Sequence, residues 1–80
     1  MKRKTYLEKA QDIVDELNSM YELGGTFSIF HIDPWVIIMF HTQRGTKVRI
    51  SEYVTGKEAW TIMCAIGNYI DAATCIPKKL

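Results

Sequence analysis

The stretch WVIIMF, residues 35 to 40, carries large apolar side chains on both sides of an extended chain. Successive side chains of a strand point to opposite faces, and a strand with one wet face alternates apolar with polar residues. Here Trp35, Ile37 and Met39 point one way and Val36, Ile38 and Phe40 the other, so both faces require cover. The run is far too short to span a bilayer, and it reads as the central strand of a small sheet. Asp33-Pro34 separates it from TFSIFHI, and Thr42-Gln43-Arg44-Gly45-Thr46 separates it from KVRISEY. A glycine closing the second turn fits a type I turn with a G1 bulge. Pro34 has a fixed negative φ, so the first turn is not a tight type I′ hairpin. Connections this short imply an antiparallel meander.

Helical patterns flank the three strands. Thr5-Tyr6-Leu7-Glu8 has the form of a capping box, and Leu7, Ala10, Val14, Leu17 and Tyr21 follow as one apolar stripe. Its outer face is acidic, with Glu8, Asp12, Asp15, Glu16 and Glu22. Gly24-Gly25 is the expected helix stop. Thr55-Gly56-Lys57-Glu58 is a second capping box, and Ala59, Ile62, Met63, Ile66, Tyr69, Ile70 and Ala73 form the stripe behind it, ended by Pro77. Trp60 and Cys64 widen that stripe, and Gly67 at its middle permits close helix approach. The expected fold is a single α+β domain over residues 1–80. Its order is α-β-β-β-α, a three-stranded antiparallel meander flanked by two helices.

Parity assigns the faces. If Thr42 faces Thr46, then Phe40 opposes Val48 and Ile38 opposes Ile50, and these join Phe27, Ile29 and Val36 on one wholly apolar face. The other face collects Thr26, Ser28, Phe30, Ile32, Trp35, Ile37, Met39, His41, Lys47, Arg49, Ser51 and Tyr53. It has an apolar and aromatic centre with a basic, polar edge. Exposed, its six large apolar side chains would present on the order of 400–500 Å², about the largest patch a soluble monomer tolerates. Helix two, a second copy of the chain, or another partner could cover it.

Composition narrows the function classes. Eighty residues, 48% apolar and 24% charged, make an ordinary globular domain. A net charge of +1 argues against a general nucleic-acid coat. Cys64 and Cys75 are the only cysteines. Placed on one helix they would lie roughly 16 Å apart, too far for a disulfide. Free thiols and the absence of an apolar leader core lead to the expectation of a soluble cytoplasmic protein with no membrane contact.

No motif carries catalysis. His31 and His41 fall on opposite faces by parity, and no close-spaced pair of Cys or His suggests a metal. Cys64 sits mid-helix, and the carboxylates of helix one are spaced as a solvated face. Thr55-Gly56-Lys57 opens a helix where an anion could dock, but the capping box already accounts for it. The expectation is therefore a non-enzyme without cofactor or metal. The element order, with Gly56-Lys57-Glu58-Ala59, resembles the double-stranded RNA-binding domain and the G-x-x-K-K-x-A start of its second helix. Of that family's lysine pair Lys57 remains, and Trp60 stands where another basic residue is expected. The resemblance implies RNA or DNA contact through Lys47, Arg49 and Lys57. Trp35 and Tyr53 beside Arg44, Lys47 and Arg49 could alternatively stack single strands. Size, element order and an acidic helix also make the chain similar to small phage-encoded inhibitors, including some anti-CRISPR proteins, which act by occupying a partner's surface.

The leading expectation is a non-enzymatic binding protein, homo-oligomeric and acting on another protein as an inhibitor or accessory factor. Phe30, Trp35, Ile37, Met39, Arg49 and Tyr53 are its candidate surface. Nucleic-acid binding is the second reading.

Overall fold

In the computed structural model, which describes residues 3–73 and 75–79, both helices begin with the cap that their sequences announce. At α1 (Tyr6–Met20) the Glu8 N–H donates to the Thr5 hydroxyl at 3.1 Å, and the Thr5 N–H donates to the Glu8 carboxylate at 2.9 Å. At α2 (Gly56–Ala72) Thr55 and Glu58 repeat the pair at 3.2 and 3.1 Å. These bonds satisfy N–H groups that a helix start otherwise leaves free. They also hold both carboxyl groups below the ordinary carboxylate value, because the donated bonds favour the charged form.

The end of α1 differs from expectation. The helix stops at Met20, and Tyr21 turns to extended backbone while its ring stays buried. The C-terminal segment causes this stop. The Lys79 N–H donates to the Met20 carbonyl at 2.8 Å, the Glu22 N–H donates to the Pro77 carbonyl at 2.8 Å, and the Lys79 ammonium donates to the Asn18 carbonyl at 2.7 Å. Carbonyls of the last turn thus find partners in the tail rather than in a glycine cap. Gly24, at φ +74°, then bends the chain into the sheet, and a Cβ on Gly25 would collide with the His41 carbonyl oxygen.

Three strands follow, β1 (Gly25–Ile32), β2 (Trp35–Thr42) and β3 (Lys47–Arg49), antiparallel and in that order across the sheet. Ile32 pairs with Trp35, so the first hairpin closes over Asp33-Pro34 alone. It is a two-residue turn around a cis Asp33-Pro34 bond, a type VI geometry and not type I′. In the second turn Gly45 has φ +89° and the Thr42 N–H reaches the Thr46 carbonyl at 2.9 Å, and Phe40 opposes Val48 as parity requires.

The third strand is shorter than KVRISEY suggested. Past Arg49 the N–H groups of Ile50 and Ser51 both approach the Ile38 carbonyl, at 2.9 and 3.4 Å, which is a bulge. The Ile38 N–H donates to the Ser51 hydroxyl at 3.0 Å, and that hydroxyl donates to the Glu52 carbonyl at 3.0 Å. Ser51 was expected on the mixed face. It is instead turned inward and buried, standing in for a strand carbonyl. Val54 then rejoins β2 opposite Val36.

An odd number of strands returns the chain to the end of the sheet where α1 began, so α2 runs parallel to α1. Contacts follow in the same order along both helices: Tyr6 with Trp60, Ile13 beside Gly67, and Tyr21 with Asp71. Both helices pack on the Val36 and Ile38 side of β2, where Ala10, Val14, Leu17, Ala59, Met63 and Ile70 complete the core. Ile38, Met63, Val14 and Val36 are fully buried, each worth about 1.5–3 kcal/mol. Helix two therefore does not cross the other face of the sheet.

Some stripe residues are not used as expected. Among the described residues neither helix packs on β3, so Val48 and Ile50 stay exposed at the margin of the core face. Tyr69 is exposed, α2 ends at Ala72 before reaching Pro77, and Cys75 lies beyond it.

Two tests follow from these bonds. Ser51→Ala leaves the buried Ile38 N–H without its acceptor and should cost about 1–3 kcal/mol in chemical denaturation. The depressed Glu8 and Glu58 carboxyls contribute stability that is complete above their ordinary value of 4.5 and lost as pH falls through the lowered folded values. The melting temperature should drop along that acid limb, and the Glu8→Gln, Glu58→Gln double variant should flatten its slope.

Candidate functional site

With both helices on one side, no described element covers the other side of the sheet. The pairing builds it in rows. From the hairpin tip these are Ile32 with Trp35, Phe30 with Ile37, Ser28 with Met39 and Arg49, then Thr26 with His41 and Lys47. Phe30, Ile32, Trp35 and Tyr53 are 46%, 54%, 45% and 54% exposed, respectively. Ile37 at their centre is only 9% exposed, shielded by its neighbours and not by a second layer. Met39 is half-buried. The Arg49 guanidinium lies 5.0 Å from the Tyr53 ring centroid, a cation–π stack that fixes both side chains. His41 Nε2 and Ser28 Oγ are 2.9 Å apart, and the Phe30 ring lies 6.3 Å from the His41 ring.

All six residues of the candidate surface therefore share this face. Ile32, which parity placed there but which was not among the six, is as exposed as any of them. Its signal was its register with Trp35 at the hairpin mouth. No Asp or Glu occurs in β1, β2 or β3, so the strand charges of the open face are all basic.

The three candidate nucleic-acid contacts do not converge. Lys47 and Arg49 belong to the open face, whereas Lys57 sits at the start of α2 on the opposite side, 5.9 Å from the Tyr6 ring. There the Tyr6 and Trp60 rings are 5.3 Å apart, with the Lys9 ammonium 5.1 Å from each.

The sheet edges are interrupted rather than continuous. Every backbone bond of β2 toward β3 comes from Val36, Ile38, Phe40 or Thr42, so the alternate residues bond to β1. Phe27, Ile29 and His31 consequently direct their backbone groups outward. At Phe27 the Asn18 amide occupies both: its Nδ2 donates to the Phe27 carbonyl and its Oδ1 accepts the Phe27 N–H, each at 2.9 Å. The opposite edge is short, bulged and basic, which also discourages strand addition.

A second concavity, about 350 Å³, lies between the helices, with Ile13, Met20, Met63 and Cys64 on its walls and Glu16 and Asp71 at its rim. Sequence reasoning marked Gly67 as a close-approach site but not the groove beside it. The buried Tyr21 hydroxyl donates to Asp71 at 3.0 Å, and burial, reinforced by that bond, pushes the phenol above its ordinary value. On the outer face of α1, Asp12 is paired with Lys4 and Asp15 accepts from Gln11 at 2.9 Å.

Among the described residues no three of His, Cys, Asp or Glu cluster as metal ligands, and no helix is long and apolar enough to cross a membrane. Comparison with protein-family models, with curated proteins and with solved structures finds no match to this chain.

The groove offers a local test. A Cβ on Gly67 would meet Ile13 Cγ2 at 3.6 Å, an ordinary contact. Gly67→Ala should therefore stabilise the fold, by about 0.5–1 kcal/mol from helix propensity. Destabilisation in thermal melts would mean that the helices need the glycine for approach.

Proposed function

We propose that this protein is a non-enzymatic binding protein that acts stoichiometrically through the open face of its sheet. It self-associates, and it serves another protein as an inhibitor or accessory factor of the sort that phages encode. The supporting observation is the cluster of Phe30, Ile32, Trp35 and Tyr53, each about half exposed around Ile37, on a face that neither helix covers. Such a cluster exposes on the order of 400 Å² of apolar surface, and patches of that size on soluble chains mark binding sites. The stacked Arg49–Tyr53 pair and the exposed Trp35 are residue types that dominate binding energy at protein interfaces.

One observation favours a second reading. The only strand charges on the face are basic and border three aromatic rings, the ingredients of a single-strand nucleic-acid platform.

Sedimentation of wild type and Met39→Asp distinguishes these readings. Wild type should associate as concentration rises, and a carboxylate in the apolar rows should weaken association at least tenfold without unfolding the chain. A strict monomer at high concentration removes self-association. Binding of a labelled single-stranded oligonucleotide at low salt, weakening as salt rises, would transfer the face to nucleic acid.

A further inference from the structure

We propose that the groove between the two helices is a binding site for a small amphiphilic cation, an ammonium or guanidinium head on an apolar stem. The site lies in the helix layer, away from the open face of the sheet, and does not depend on what that face binds.

A missing side chain gives the groove its room. Gly67 on α2 lies beside Ile13 on α1, and a Cβ there would meet only Ile13 Cγ2 within 4 Å. Gly67 is part of the groove wall, so the volume that a longer side chain would take is left open. The groove holds about 350 Å³, at the small end of the roughly 300–1,000 Å³ typical of ligand pockets. From Ile13 to Met20 its α1 wall runs roughly 10 Å along the helix axis. A protein interface needs about 600 Å² from each partner, far more than a cleft this short offers, so the occupant is a small molecule. Ile13, Leu17, Met20 and Met63 make the walls apolar, and the flexible thioethers can follow the shape of a stem.

The sign of the head group follows from topology. Because α1 and α2 run parallel, their C-termini at Met20 and Ala72 bring partial negative charge to the same end of the groove. Neither helix carries a basic residue in its last turn to offset it. Glu16 and Asp71 add two carboxylates at the rim, and the ion pairs among the described residues, Lys4–Asp12 and His31–Asp33, involve neither. The buried Tyr21 hydroxyl donates to Oδ1 of Asp71 at 3.0 Å, which orients the carboxylate and leaves Oδ2 to an incoming N–H. Two tail cations lie nearby. The Lys79 ammonium donates to the Asn18 carbonyl at 2.7 Å, and the Lys78 ammonium stands 6.0 Å from the Tyr21 ring. A cationic head at the rim with an apolar stem along the walls satisfies both demands, whereas an anion of equal length meets like charge.

Octylammonium, whose stem matches the length of the groove, tests the site in the full chain, with octanoate as the anionic control. NMR shifts should move at Ile13, Met20 and Met63 and saturate at millimolar concentration or below. Octylammonium should bind about tenfold more tightly than octanoate at low salt, a margin that narrows as salt rises. Glu16 and Asp71 are both solvent-exposed, and asparagine keeps an acceptor for Tyr21. Glu16→Gln combined with Asp71→Asn should therefore leave the fold intact and erase the preference for the cation. Gly67→Leu should fill the groove and abolish binding; if circular dichroism shows it unfolded, the carboxylate variant decides alone. Equal binding of the two probes by wild type, or a preference that survives the loss of both carboxylates, would overturn the proposal. So would the absence of a saturable shift, or shifts confined to Phe30, Trp35 and Ile37, which would put the stem on the open face instead.

Discussion

The side of the sheet on which the two helices sit decides nearly everything else. Two helices can be parallel neighbours, or they can be separated by the sheet, but the same pair cannot do both. Here the Tyr6–Trp60 stack, the Gly67 approach to Ile13 and the Tyr21–Asp71 bond hold them together along their whole length. The core of Val14, Met63, Val36 and Ile38 forms under that pair. The cost is a sheet with one side uncovered among the described residues, and neither helix can reach the apolar residues of β2 on that side. The alternating row of Trp35, Ile37 and Met39 belongs to the sequence for a reason other than this core.

Polar side chains take the role of backbone at two points of the sheet. The Asn18 amide meets the Phe27 N–H and carbonyl as a neighbouring strand would, and the Ser51 hydroxyl meets the Ile38 N–H where a strand carbonyl is missing. Each ends strand pairing at a chosen place without leaving a buried donor unsatisfied. Unpaired edges are the usual route to uncontrolled association. Asn18 blocks the β1 edge at Phe27, and the bulge at Ile50 and Ser51 shortens the β3 edge, so lateral growth is hindered at those positions.

What the sequence made legible follows from the strength of local signals. Capping boxes at Thr5 and Thr55 act over four residues, and the side-chain period of a strand is two, so helix starts and the members of each face could be read directly. Phe30, Trp35, Ile37, Met39 and Arg49 share a surface for that reason, and Tyr53, past the bulge, joins them beside Arg49 once Val54 bridges back to Val36. The errors arose where a distant segment competed with a local rule. The tail at Pro77 and Lys79 ended α1 before Gly24 could, and the bulge turned Ser51 inward against its parity. The position of α2 was illegible because its apolar arc is wide enough to suit either side of the sheet. Its contact with α1 decides the matter, and no local pattern encodes that contact. The same absence of local signal hid the groove beside Gly67.

The strand charges of the open face share one sign although the net charge of the chain is only +1. Parallel helices point both C-termini, with their partial negative charge, toward one end of the helix layer. Glu16 and Asp71 rim the groove near that end, and Lys79 at the Asn18 carbonyl offsets part of the charge. The sheet on the far side carries Lys47 and Arg49 and no strand carboxylate. Charge on a near-neutral chain still steers association when it is segregated, because the approaching surface feels the nearer patch before the distant one is screened in. In the proposed binding role, such charge would orient a partner before the apolar rows touch, and burial of Phe30, Ile32 and Trp35 would supply the affinity. WVIIMF serves both halves of that division. Its even-numbered residues hold the chain together, and its odd-numbered residues, fringed by charge of one sign, are left to meet another surface.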